Sequence, residues 1–204
     1  LAEFRFFFML GTIENPIIDS QMTSQDAVAF NLNNDCPESI LNSQKVVRVL
    51  YYSFDNLIHA GQIVVNEIVI EDIKKIFEVI LENKFPIAKV IPISNKKYYK
   101  NGNWDDELSM QDNNSSGFNY RKIIGTDNLS THASGLAVDI NPKINPYISP
   151  KLIQPQGAVY DPTKPGVLTK DCPVVKIFES LGWLWGAELI GKVDYHHFQK
   201  IRNK

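Results

Sequence analysis

Three of the chain's four histidines fall in two short segments that also carry aspartates. The first reads Ser130-Thr-His132-Ala-Ser-Gly135-Leu-Ala-Val-Asp139, the second Asp194-Tyr-His196-His197-Phe198. Such a set suits a hydrolytic metal site. Catalytic zinc takes three N or O ligands and keeps a fourth position for water. His132 and Asp139 offer two ligands, and Gly135 between them lets the backbone turn so that both face one point. The second segment offers a third. Asp194, just upstream, is a carboxylate able to take a proton from water. The choice between His196 and His197 is open on spacing, because strand neighbours point to opposite faces and parity sets His196 with Asp194. That parity lapses if Asp194 lies in a turn before the strand, and Gly191 and Lys192 fit such a turn. A surface His-His pair beside a chance His–Asp spacing would give the same letters without a metal. No Ser or Cys has the partners for a covalent mechanism.

Positioning these groups requires an ordered frame. Leu136, Val138 and Ile140 alternate with Ala137, Asp139 and Asn141, which predicts a strand over 135–141 with one apolar face, stopped by Pro142. Val69, Ile73, Ile76, Phe77, Ile80 and Leu81 recur at helical spacing and predict a helix over 66–83. A second helix is expected over 174–181, with Gly182 as its stop. Residues 46–54, 88–93, 183–186 and 195–199 read as further strands. Residues 11–45 are weakly patterned and read as an extended arm with a short helix or turn. Residues 95–117, rich in Asn, Asp, Ser and Lys, form a long loop that is either functional or simply mobile. Residues 143–170 form a proline-interrupted connection. The expected fold is α+β, a small antiparallel sheet with packed helices and the metal site on the sheet. The expected organisation is a processed segment or arm over 1–45 and one catalytic domain over 46–204.

The 204 residues suffice for one domain with a full core. An apolar fraction of 44% and a charged fraction of 22% are ordinary globular values. The net charge of −2 gives no electrostatic case for nucleic acid or an anionic membrane as partner. No apolar run reaches the roughly 18 residues of a membrane span. Residues 4–10 are apolar and read as a signal-peptide remnant, a first strand or vector-derived sequence. Cys36 and Cys172 match no metal motif; they form one disulfide in an exported protein or remain two buried thiols. His59 carries no functional reading.

Several motifs in order carry a family resemblance. Ser130-x-His132-x-x-Gly135-x-Ala137-x-Asp139 is followed by Gly182-Trp183-Leu-Trp185-Gly186 and Asp194-x-x-His197-Phe198. Upstream stand Ser109-Met110, Asn113-Asn114-Ser115-Ser116 and Phe118-Asn119-Tyr120-Arg121, and downstream Asp139-Ile-Asn-Pro142 and Asn145-Pro-Tyr147. Over roughly residues 46–199 the chain resembles the zinc D-alanyl-D-alanine carboxypeptidase and L-alanyl-D-glutamate endopeptidase family of VanY-like peptidoglycan metallopeptidases. The resemblance implies Zn2+ held by His132, Asp139 and His197, with Asp194 as general base and His196 turned away. It implies that Arg121 contacts the substrate carboxylate or the oxyanion, and that Ser130 supports the site or the substrate. Two departures stand out: many relatives have Glu in place of Asp194, and Ala-Glu-Leu follows Gly186 where a second Gly and a Trp are frequent.

The substrates so implied are peptidoglycan stem peptides, and the place of action extracytoplasmic. Removal of terminal D-Ala is favoured by the Phe-Asn-Tyr-Arg surroundings, with L-Ala-D-Glu cleavage as the alternative. A non-catalytic zinc-binding module is the reading from another class. Retention of Asp194 argues against it, since a module without catalysis has no use for the base.

Overall fold

The computed structural model describes residues 9–30, 32, 35–123, 125–189 and 191–201. The expected apolar segment at 4–10 lies almost wholly outside these, and its last two residues, Met9 and Leu10, are exposed. Among the described residues the chain is mixed α/β, with five α-helices and several small sheets in place of the one sheet expected, and no closed barrel.

The first elements are β1 (Ile17–Ile18), α1 (Ser24–Ala29), α2 (Glu38–Asn42), β2 (Gln44–Tyr52) and β3 (Ile58–Asn66). β2 and β3 form a hairpin in register from Gln44↔Asn66 to Tyr52↔Ile58, and β1 adds parallel to β3. The expected strand at 46–54 is therefore β2, begun two residues earlier. β3 has no counterpart in the sequence reading. It is the central strand, buried along nearly its whole length on both faces, so it lacks the alternation by which a half-buried strand is recognised. The expected arm packs on this hairpin: Ala27 and Cys36 are buried against Val64 and Phe118. Both cysteines are unpaired thiols.

α3 (Ile70–Glu82) follows a 3-10 turn over Glu67–Val69. Its Ile73, Ile76, Phe77 and Ile80 are buried, each contributing roughly 1.5–3 kcal/mol. The long polar loop has more order than its composition suggests. It follows β4 (Lys89–Val90) and carries β5 (Tyr99–Lys100), β6 (Asn103–Trp104), α4 (Asp106–Gln111) and β7 (Asn114–Ser115). Asp105 caps α4 by accepting from the Leu108 N–H at 2.9 Å, and β7 pairs in parallel with β4.

The C-terminal part supplies β8 (Ala137–Asp139), β9 (Tyr147–Ser149), β10 (Leu152–Gln154), α5 (Pro173–Ser180), β11 (Trp183–Trp185), β12 (Val193–Asp194) and β13 (His197–Lys200). β13 is central in an antiparallel sheet of order β11-β13-β8, and β9 is central in β10-β9-β12. Val138 and Phe198 pair across β8 and β13 on the core side, where Phe198 stacks on Phe178 of α5 at 3.8 Å. Helices α3 and α5 share that core with the hairpin and the β13 sheet. No helix among the described residues is long and apolar enough to cross a membrane.

Candidate metal centre

Strand register brings two candidate ligands together. His197 on β13 lies directly opposite Asp139 on β8, and directly opposed residues in an antiparallel pair present their side chains on one face. His132 arrives from a 3-10 turn, Thr131–Ser134, capped by Ser130, whose hydroxyl accepts from the His132 N–H at 3.3 Å. Gly135 ends that turn at φ 69°, a left-handed conformation that glycine adopts without strain. A side chain there would also meet Gln44 Oε1 at 2.0 Å and the Asn66 nitrogen at 2.7 Å. The Ser-x-His-x-x-Gly spacing is thus a cap, a turn and a stop that deliver His132 to β8.

The three groups form a nearly equilateral triangle. His132 Nε2 lies 3.1 Å from His197 Nδ1 and 3.2 Å from Asp139 Oδ1, and His197 Nδ1 lies 3.1 Å from the same Oδ1. Ligand atoms at 2.0–2.2 Å from zinc in a tetrahedron lie roughly 3.3 Å apart. The donor set and its spacing therefore fit a divalent ion such as zinc. Outer contacts fix the rings: His132 Nδ1 donates to the Gly117 carbonyl at 2.7 Å, and His197 Nε2 meets Gln199 Oε1 at 3.2 Å. A ligating histidine commonly has its second nitrogen held in this way. Burial alone would raise Asp139, but His132 and His196 hold it well below the usual carboxylate range, so it is ionised and suited to a cation.

Asp194 lies on β12, in a different sheet from His197, and a two-residue turn separates them. Strand parity therefore does not link the two, and His197 rather than His196 joins the triangle. Gly186, which ends the Gly-Trp-x-Trp-Gly stretch, allows this close approach: a Cβ there would lie 2.5 Å from the Asp194 carbonyl oxygen and 3.1 Å from His197 Cβ.

His196 departs from expectation. It does not turn away. It is buried, with Nε2 3.0 Å from Asp194 Oδ1 and 4.0 Å from Asp139 Oδ2. The backbone reverses between β12 and β13, so His196 sits in a turn where alternation does not operate. Burial pulls its pKa down, but the charges of Asp194 and Asp139 outweigh that and raise it to about 10. Burial likewise pushes Asp194 up, and His196 more than reverses the effect, leaving it below the ordinary value.

All of these groups border one cleft of about 290 Å3, with Arg121 and Asp106 on its wall. Arg121 Nη2 lies 2.8 Å from Asp106 Oδ2, and Asn119 donates to Asp106 Oδ1 at 2.9 Å. Ser130 also borders the cleft, its hydroxyl engaged as the turn cap. Asp106 and Met110 come from the polar loop, so that loop reaches the site. Sequence reasoning missed Asp106, which is one of several acidic residues at a helix start, and His196, whose neighbour matched the motif. Asn145 was visible only inside the Asn-Pro-Tyr stretch. Its side chain bonds the Ile140, Asn141 and Gly166 carbonyls and the Leu168 N–H, and its own carbonyl accepts from His196 Nδ1 at 2.7 Å.

Fold and site together define an α/β protein with a His-Asp-His cluster able to hold a metal ion, beside Asp194 and the Arg121–Asp106 pair. Residues 124–200 match the family model described as D-alanyl-D-alanine carboxypeptidase, a segment that contains both histidine motifs and supports the family the motifs resemble. Neither the curated proteins nor the solved structures contain a match to the chain.

Proposed function

We propose that the protein is a zinc-dependent peptidase of peptidoglycan stem peptides, acting as a D-alanyl-D-alanine carboxypeptidase. The reading rests on one observation above all. The equal-sided His132–Asp139–His197 triangle opens on the same cleft as Asp194 and Arg121, within and beside the segment that matches the family. His132 through Nε2, His197 through Nδ1 and Asp139 through Oδ1 would hold the ion. Zinc bound there would supply Lewis acidity toward water and the scissile carbonyl.

The chain's own groups do the rest. Asp194 takes the proton of the attacking water and delivers it to the leaving amine. Arg121 binds the terminal carboxylate or the developing oxyanion with the part of its fork that Asp106 leaves free. Leu129 and Leu152, both exposed at the cleft, offer apolar contact to small side chains such as the alanine methyl. On this reading the protein works outside the cytoplasmic membrane, where its substrate lies.

Mass spectrometry of a stem pentapeptide digested by the zinc-loaded protein tests the proposal. Loss of one terminal alanine is the expected result. Release of L-Ala from the D-Glu side would replace the carboxypeptidase with the endopeptidase. An intact peptide in the presence of stoichiometric zinc would overturn the enzymatic reading in favour of a zinc-binding module.

A further inference from the structure

His196 is a buried group that the mechanism above does not use, and its surroundings give it a task. Its Nδ1 lies 2.7 Å from the Asn145 carbonyl. A carbonyl only accepts, so Nδ1 carries a hydrogen. The ring then faces Asp194 Oδ1 with Nε2, at 3.0 Å. At that distance a proton lies between the two atoms, and with Asp194 read as the ionised base it sits on Nε2, facing the carboxylate. Oδ1 is shut off from solvent and has no well-directed hydrogen bond, so the charge contact with His196 Nε2 is what engages it. The side chain of Asp194 as a whole is 18% exposed and borders the cleft. One carboxylate oxygen is therefore turned inward onto His196, and the other is the one left to the cleft.

The anchor behind His196 is rigid. Asn145 is fully buried, and four hydrogen bonds of its side chain tie it to Ile140 and Asn141, just after β8, and to the 166–168 connection. The His196 carbonyl accepts from the Ile140 N–H at 3.0 Å, directly after the Asp139 ligand position. The ring is thus clamped at both its backbone and Nδ1, and only Nε2 is committed to a functional group.

We propose that His196 is a positioning residue that holds Asp194 by Oδ1 so that Oδ2 faces the water it deprotonates. The role rests on the reading of Asp194 as the base. It makes the adjacent histidines a divided pair, one for the metal and one for the base. Substitution of an outer partner of this kind costs about 10–100-fold in activity or metal affinity, and here the loss falls on turnover.

Two variants and one spectrum test this. His196→Leu removes the donor, and His196→Gln keeps an N–H donor at the same number of bonds from the backbone. In His196→Leu, kcat is expected to fall about 10–100-fold, with KM and zinc content close to those of the parent. In His196→Gln most of that loss is expected to be recovered. Unchanged kcat in His196→Leu would overturn the proposal, as would equal loss in both variants or loss of zinc in a folded His196→Gln. If His196→Leu does not fold, His196→Gln decides, and a deficit as large as 100-fold counts against the proposal.

The spectrum is independent of activity. Imidazole 15N NMR of the zinc-loaded protein is expected to show His196 protonated at Nδ1, with an Nε2 resonance that moves in Asp194→Asn while Nδ1 stays. An Nε2 signal indifferent to Asp194→Asn would refute the contact. Failure of the underlying reading looks different: Asp194→Asn would then retain full turnover, or the parent would cleave nothing, whatever the spectrum shows.

Discussion

Arg121 enters the cleft already paired: its Nη2 lies 2.8 Å from Oδ2 of Asp106, on a helix that composition would have assigned to a loop. The pair is partly exposed, 30% for the arginine side chain and 23% for the aspartate, so it contributes little to stability. Its effect is geometric, because it fixes the direction in which the guanidinium fork presents its remaining N–H groups.

Arg121→Ala is therefore expected to retain zinc and to lower the melting temperature by only a few degrees, about 1 kcal/mol or less, while turnover falls by about 100-fold. Asp106→Ala should give an intermediate loss of turnover, since the arginine remains but is no longer oriented. Peptide cleavage assays with thermal melts decide this. An unfolded Arg121→Ala would make the arginine a structural residue.

The metal ligands predict a sharper pattern. His132→Ala and His197→Ala are each expected to lose stoichiometric zinc and all measurable cleavage. Chelator treatment of the parent should abolish cleavage until zinc is returned. Elemental analysis reports the first result and the cleavage assay the second. Full zinc retention in His132→Ala would show that the triangle is not the site.

Gly135→Ala tests the turn that delivers His132. The left-handed backbone costs a non-glycine residue about 1–2 kcal/mol, and the new methyl would lie 2.7 Å from a backbone nitrogen. A destabilisation of at least about 2 kcal/mol is expected, near 2–4 °C in melting temperature for each kcal/mol at this chain length. A melt unchanged from the parent would mean that the turn relaxes freely.

Asp112 carries a pH prediction away from the site. Lys89 and Lys97 pair with it and Tyr98 donates to it. Burial tends to raise its pKa, and these partners outweigh burial and lower it. A carboxyl lowered on folding adds stability above its unfolded value of about 3.9, and the contribution is lost as pH falls through the folded value. Urea midpoints should therefore drop as the pH is taken from about 5 downward past 3.9. The Asp112→Asn variant, about 1–2 kcal/mol weaker at neutral pH, should lose less over the same range. Parallel curves for the two proteins would remove Asp112 from the acid response.

The sequence by itself determined the local parts of this protein. The helical spacing of Ile73, Ile76, Phe77 and Ile80 predicted α3 to within a few residues at its N-terminal end, because an amphipathic helix writes its buried face into its own period. The alternation around Val138 likewise predicted β8. The motif segments named His132, Asp139, His197, Asp194 and Arg121, and the structure gathers all five at one cleft. Only the tertiary structure decided what depends on distant partners. β3 became a central strand because β1 and β2 flank it and both of its faces are buried, which leaves no alternation to read. Asp106 acquired its place when α4 packed beside Arg121. His196 faces Asp194 because the chain passes from one sheet to another between Asp194 and His197. Each of these outcomes is set by which surfaces meet after folding, and no window of neighbouring residues contains that information.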